Sequence, residues 1–264
     1  MRTQSEKGAE FYALHQGAEA FLIPNPYDVG TARLLAYLGF QALATTSGGY
    51  AFSSGRPDYE MQRDETLAHA ASIVNATGLP VSADLENGFG DAPEAVAETI
   101  RQATALGLVG GSIEDLPGPY PIEYAAERIR AAAEVVHGLP FRFTLTARAE
   151  NYLVGRPDLH DTIKRLQAYQ EAGADVLYAP GLRTREEIAA VVSSVDRPVN
   201  VLMTLPRAEL SAIGVKRISV GSALSRAALG AFMRAAQEMR DHGTFEFAKD
   251  AAGYAELNAI FKGL

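Results

Sequence analysis

Eight short apolar or β-branched runs recur along the chain, at residues 20–24, 40–46, 80–84, 108–113, 141–147, 174–179, 198–202 and 215–220. Helical periodicity, with apolar residues three and four apart, fills the intervals at 28–38, 64–76, 93–106, 121–136, 158–171, 184–194 and 223–240. A strand followed each time by a helix returns parallel to its predecessor, so the alternation predicts an α/β fold built on a parallel sheet. Repetition without a long structureless insertion favours a (β/α)8 TIM barrel over an open doubly wound sheet. Gly39, Gly107, Gly173 and Gly214 each stand where a left-handed cap must end a helix before the next strand. Asp91 with Pro93 close behind, and Thr184 ahead of Glu186 and Glu187, supply helix-start signals.

The chain has 264 residues, close to the roughly 250 typical of one such barrel, so a single domain over 1–264 is expected. Residues 244–264 read as one further amphipathic helix, with Phe245, Phe247, Tyr254, Leu257, Ile260 and Phe261 available for packing.

A net charge of -8 and a pI near 5.2, without any Lys/Arg cluster, argue against a nucleic-acid partner. The charged start and the short apolar run at 20–24 offer neither an export signal nor a membrane span, which predicts a cytoplasmic protein. The chain has no cysteine, which removes disulfides, thiolate metal sites and a cysteine acid or nucleophile.

Chemistry in such a barrel belongs at the C-terminal ends of the strands. Residues 81–90 bring Asp84 and Glu86 there, two apart and thus on one face of a strand, where they can converge on a hard cation directly or through its waters. Two solvated acids at a strand end would look the same in sequence. The other runs place Asn25, Asp28, Thr45, Thr46, Ser47, Gly48, Gly49, Tyr50, Glu114, Asp115, Arg148, Glu150, Tyr178, Asn200, Ser219 and Gly221 at the same rim. Lysines 7, 164, 216, 249 and 262 fall elsewhere, which argues against a Schiff-base enzyme, and no histidine ends a strand. Metal-assisted chemistry with carboxylates remains. Arg148 suits a substrate carboxylate bidentately, or equally an ion pair with Glu114, Glu150 or another rim acid. Ser47, Gly48 and Gly49 can present backbone N–H groups to an oxyanion, although a simple turn would read alike.

With these residues in place, the chain resembles the isocitrate lyase and phosphoenolpyruvate mutase superfamily. The resemblance rests on residues 25–28, 46–49, 55–58, 83–90, 111–115, 146–148, 198–200 and 217–221, in the expected order over nearly the whole chain. It implies a magnesium ion, with manganese as an alternative, held by Asp84 with Glu86 and Glu114 reaching it through water. By the same resemblance Ser47, Gly48 and Arg148 hold the carboxylate and oxo group of a 2-oxo acid, and Asp58 supports the network of metal waters. It also implies an eighth helix exchanged between subunits of a homodimer or homotetramer. We accordingly expect catalytic roles for Asp58, Arg148 and Glu114, and substrate contacts from Ser47, Gly48, Gly49, Tyr50, Arg148 and Asn200.

The superfamily's isocitrate and methylisocitrate lyases carry a cysteine-bearing loop after strand four. Here residues 115–124 contain no cysteine, lysine or histidine, and the short proline-rich loop also fits the phosphonate mutase branch poorly. Glu86 replaces the aspartate of many relatives. The expected function is a magnesium-dependent lyase or hydrolase of a small 2-oxo acid, of the oxaloacetate kind, working through an enolpyruvate-like intermediate. A phosphonopyruvate-type mutase or hydrolase and a non-catalytic 2-oxo acid binder are the alternatives. Tyr50, Tyr120 and Tyr124 are candidate proton donors, although packing explains each of them more simply.

Overall fold

The structure, a computed structural model, describes residues 2–116 and 118–263. Eight parallel strands run β1 (Phe21–Ile23), β2 (Leu43–Ala44), β3 (Val81–Asp84), β4 (Gly110–Glu114), β5 (Thr144–Arg148), β6 (Val176–Tyr178), β7 (Val199–Leu202) and β8 (Arg217–Ser219). Each pairs with its neighbour in sequence from β2 to β8, and β8 pairs with β1. The remaining gap is closed by single bonds. Ala44 N–H donates to Pro24 O at 3.1 Å, and Asn25 Nδ2 donates to Thr45 O at 3.0 Å. The result is the (β/α)8 barrel expected from the alternation.

Helices α2 (Val29–Tyr37), α4 (Arg63–Ala76), α5 (Pro93–Ala105), α6 (Ile122–His137), α7 (Leu159–Glu171), α8 (Arg185–Ser193) and α10 (Ala223–His242) match the periodic intervals closely. Their apolar faces pack on the outer faces of the strands, around Ile100, Ile113, Leu145, Leu166, Leu177 and Val201. The four cap glycines all have positive φ, between 84° and 104°. Thr184 caps α8 with a capping box to Glu187, whereas Ala92 rather than Asp91 occupies the N-cap of α5. Asp91 instead accepts the Tyr120 hydroxyl at 2.6 Å.

Four features depart from the sequence expectations. An N-terminal helix α1 (Gln4–Leu14), started by a Thr3–Glu6 capping box, precedes the barrel, and its buried Phe11 packs with Phe21, Ile23 and Val109. A Cβ on Gly110 would lie 2.7 Å from Phe11, so the helix seats there only because that position is glycine. The segment after β2 is a short helix α3 (Ser47–Ser53), not a turn, with Thr46 as its N-cap. A six-residue helix α9 (Arg207–Ala212) joins β7 to β8. The tail splits into a 3-10 turn (Glu246–Asp250) and α11 (Tyr254–Gly263), because Ala251 leaves helical geometry for an extended backbone, φ -72° and ψ 137°.

Candidate active site

Glu114 and Arg148 are opposite one another in the β4–β5 register, and Asp84 lies opposite Ser112 across β3–β4. Three adjacent strands therefore deliver two acids and a guanidinium to one point at their C-terminal ends. Arg148 is fully engaged there: Nη1 donates to Asp84 Oδ1 at 2.9 Å, Nη2 lies 3.1 Å from Glu114 Oε2, and Nε donates to Glu150 Oε1 at 2.7 Å. The ion-pair reading of Arg148 describes the geometry as it stands, with Asp84 as the further rim acid beside Glu114 and Glu150. Carboxylates on all sides hold the Arg148 pKa well above its usual value despite burial.

Glu86 and Asp58 complete the acid cluster. Glu86 is buried and stands in the left-handed region at φ 48°, within a turn where Gly88 and Phe89 also have positive φ. Such a backbone is costly for residues other than glycine and persists only where surroundings enforce it. The enforcement comes from Arg128, whose side chain is buried. Its guanidinium donates to the carbonyls of Asn87, Gly90, Asp91 and Glu114, and its Cζ lies 4.5 Å from the Tyr120 ring centroid.

Burial, reinforced by Asp84 and Asp58, pushes the Glu86 carboxyl up to about 8. Burial likewise raises Glu150 to about 7 and Glu114 well above the carboxylate range, although Arg148 opposes both shifts. Asp58 is raised mainly by burial, against a hydrogen bond from Ser47. Glu86 Oε1, Glu114 Oε1 and Glu150 Oε2 are buried without a hydrogen-bond partner among the described residues. Five carboxylates thus share one arginine, and three of their oxygens are unsatisfied.

That donor set, all oxygen and in excess of negative charge, suits a hard divalent cation. Among the described residues, no three acids yet converge to ligate one ion, since Arg148 draws Asp84, Glu114 and Glu150 toward itself. The orphaned oxygens of Glu86 and Glu114 are the groups that a cation, or its waters, would satisfy.

The glycine segment is arranged differently from an open oxyanion turn. Ser47 N–H donates to Asp84 Oδ2 at 3.1 Å, and Gly49 N–H is spent on its own N-cap, Thr46 Oγ1, at 3.2 Å. A Cβ on Gly48 would lie 2.8 Å from Asp58 Oδ2, so glycine is required for Asp58 to approach. Tyr50 stacks on His69, ring centroids 3.9 Å apart, and lines neither of the two cavities described below. The candidate donors Tyr120 and Tyr124 both hydrogen-bond to Asp91. Asn200 lies deeper, with Nδ2 on Ser219 and Oδ1 accepting from Arg217.

Two spaces adjoin the cluster. A cavity of about 90 Å³ on the barrel axis is reached from Asp84 and Arg148. A side pocket of about 390 Å³ places Glu86 and Glu114 against Tyr59, Met61, Phe89, Leu116 and Val154. Sequence reasoning missed Tyr59 and gave the buried Arg217, first residue of the 217–221 segment, no part in the site. The left-handed φ of Tyr59, 66°, has no sequence signature, and Arg217 opens its strand instead of ending it.

The match to known proteins follows the same segments. Residues 11–240 match the family described as phosphoenolpyruvate phosphomutase. A solved structure of a putative lyase/mutase from Burkholderia cenocepacia is 59% identical, covers 98% of this chain and 96% of its own, and superposes with a TM-score of 0.96. An uncharacterized protein of Mycobacterium tuberculosis is 35% identical over 94% of this chain and 95% of its own length. An oxaloacetate decarboxylase of Chromohalobacter salexigens is 29% identical over 90% of this chain and 87% of its own. Further relatives are lyases and hydrolases of the same superfamily. The chain belongs to the phosphoenolpyruvate phosphomutase family, within the isocitrate lyase and phosphoenolpyruvate mutase superfamily, in a branch without the lyase cysteine.

Proposed function

We propose that the protein is a magnesium-dependent lyase or hydrolase that breaks a carbon–carbon bond of a small 2-oxo acid of the oxaloacetate class, through an enolpyruvate-like anion. The observation that carries this reading is the acid cluster itself, with the buried oxygens of Glu86 and Glu114 left without partners. The relative named oxaloacetate decarboxylase supports the substrate class. Asp84 would hold the cation, magnesium or manganese, with Glu86 and Glu114 reaching it through water. When bound, the cation supplies polarisation of the 2-oxo group and charge to offset the enolate.

The chain's own residues bind and orient. Arg148 presents a fork that matches a carboxylate, and its Nη2 would be available for that role if Glu114 turned toward a bound cation. Gly48 lets Asp58 stand beside α3, where Asp58 takes the hydrogen bond of Ser47 and fixes that hydroxyl. Burial raises Glu86 to about 8, so it carries a proton near neutral pH that a bound cation would displace, and burial raises Glu114 as well. In a decarboxylation the C3–C4 bond would break, carbon dioxide would leave, and the electron pair would stay on the C2–C3 enolate until C3 takes a proton from solvent.

The protein acts as a homodimer or larger homo-oligomer in this reading. Helix α10 has 20 residues, of which only Ser225 is buried, and it exposes Leu229, Phe232, Met233 and Met239. A helix with that much uncovered apolar surface needs a partner, and a second copy that exchanges the same helix supplies it symmetrically.

A proton NMR time course on oxaloacetate, isocitrate, methylisocitrate, substituted malates and phosphonopyruvate, with magnesium or chelator, tests the assignment. Magnesium-dependent loss of a 2-oxo or malate component, absent from Asp84→Ala, supports it. Loss of phosphonopyruvate alone would place the chain in the mutase or hydrolase branch. Saturable stabilisation by a 2-oxo acid without turnover would make it a binding protein.

A further inference from the structure

Barrel interiors of this kind are ordinarily filled by branched apolar side chains. Here the axial cavity below the acid cluster is lined by Ser82, Ser112, Asn200, Arg217 and Ser219, and it extends upward to Asp84 and Arg148. Arg217 is 5% exposed. Its Nε donates to Asn200 Oδ1 at 2.9 Å, its Nη2 to Thr146 Oγ1 at 3.0 Å, and its Nη1 faces His15 Nε2 at 3.4 Å. None of these partners bears a negative charge. Burial and Arg217 together hold His15 down at about 3, and its Nδ1 lies 2.8 Å from Phe11 O, so the neutral ring offers Nε2 as an acceptor.

Two guanidinium groups therefore line one cavity with opposite charge balance. Arg148 has three carboxylates, whereas Arg217 forms no ion pair among the described residues. An isolated buried charge is costly unless a counter-charge reaches it. Burial lowers the Arg217 pKa to about 10, in keeping with that want of an anion. Phe11 and Phe21 belong to a buried apolar cluster at the other end of the barrel, while the cavity reaches Asp84 and Arg148 at the strand ends.

We propose that the axial cavity is an anion subsite in which Arg217, with the Ser219 hydroxyl, binds one carboxylate-sized monoanion beneath the acid cluster. A buried water needs about 10–15 Å³ of such space. The cavity, at about 90 Å³, therefore has room for a carboxylate group or a halide with a water beside it. The same chemistry has two sources. One is the distal carboxylate of a 2-oxo dicarboxylate whose other end lies at Arg148 and Asp84, which rests on the function proposed above. The other is a free small anion, which does not.

The test uses the metal-free full chain. Its melting midpoint is followed in sodium formate and sodium bromide against gluconate at equal ionic strength, and bromide-soaked crystals are searched for anomalous density. We expect saturable stabilisation by formate and bromide and a bromide peak beside Arg217. In Arg217→Met the half-saturating formate concentration should rise by at least about ten-fold, as for loss of a charged donor. If that variant does not fold, Ser219→Val, which fills the cavity with methyl groups, should abolish the response instead.

No saturable response and no bromide density in the cavity would overturn the proposal, as would an unchanged response in a folded Arg217→Met. Formate that competes with oxalate in calorimetry assigns the subsite to a ligand's second carboxylate. Formate that binds without competing assigns it to a free anion. Because neither readout needs turnover, a failure of the proposed reaction leaves this result separately legible.

Discussion

Glu114 Oε2 lies 3.1 Å from Arg148 Nη2, and the two residues are also register partners in the β4–β5 ladder. Backbone pairing thus fixes the pair before the side chains meet. The same guanidinium neutralises Asp84 and Glu150, so its removal leaves two buried acids and the half-buried Asp84 facing one another. Arg148→Met should lower stability by about 3–5 kcal/mol in chelator, the usual cost of breaking a buried pair from one side. Urea unfolding measures it. A loss below about 1 kcal/mol would mean that the acids simply take up protons and need no cation.

The raised carboxyls give the metal-free protein a definite pH dependence. Glu86, at about 8, and Glu150, at about 7, bind protons in the folded state that the unfolded chain has released above about 4.5. Stability should therefore fall as pH rises from about 5 to 8, by up to about 1.4 kcal/mol per pH unit for each group titrating. Magnesium should flatten this slope and release protons on binding, so its apparent affinity should rise over the same window. Calorimetry in buffers of different ionisation enthalpy counts those protons. Metal binding without proton release would sink the assignment of Glu86 and Glu114 to the cation.

Gly48 tests the approach of Asp58 to α3. A methyl group in Gly48→Ala would start 2.8 Å from Asp58 Oδ2 and 3.2 Å from its Cγ. Overpacking of this size costs about 1–3 kcal/mol, while displacement of a positioned group by about 1 Å can reduce turnover about a hundred-fold. We expect a folded protein with a large fall in turnover. Turnover within about two-fold of the parent would remove Asp58 from the working site.

What the sequence made legible, and what it did not, follows from where each residue stands in its run. Asp84, Glu114 and Arg148 could be found because each ends an apolar run, and in a parallel barrel the ends of runs share one rim. Arg217 begins its strand, at the end that ordinarily carries stability rather than chemistry, so although it opens the 217–221 segment nothing gave it a role. Tyr59, like Glu86, owes its placement to a left-handed backbone that no local preference encodes. Helix α1 was overlooked even though its Thr3–Glu6 capping box can be read directly, because its core contact comes mainly from Phe11 and Gly8. In α3, two adjacent glycines suggested a turn, and the Thr46 cap, the Ser47 N–H bond to Asp84 and the packing of α10 hold them helical.

Helix α10 gives the last prediction. Phe232 is 72% exposed and Met233 59%, and Phe245 just beyond the helix is 65% exposed, so the helix leaves large apolar side chains uncovered. The helix is tied to its own barrel near its start, where Ser225 Oγ donates to Gly49 O at 3.4 Å. Burying such side chains against a second copy returns about 25 cal/mol per Å² of apolar surface, and self-association is the symmetric way to do it. Light scattering should therefore give at least twice the 28.2 kDa chain mass. Phe232→Glu, which puts a charge among those side chains, should shift the population toward monomer without unfolding the barrel. Because Gly49 follows the Ser47 and Gly48 pair beside Asp84 and Asp58, the monomer should also lose affinity for the 2-oxo acid. A monomeric parent protein with full activity would show that α10 needs no partner.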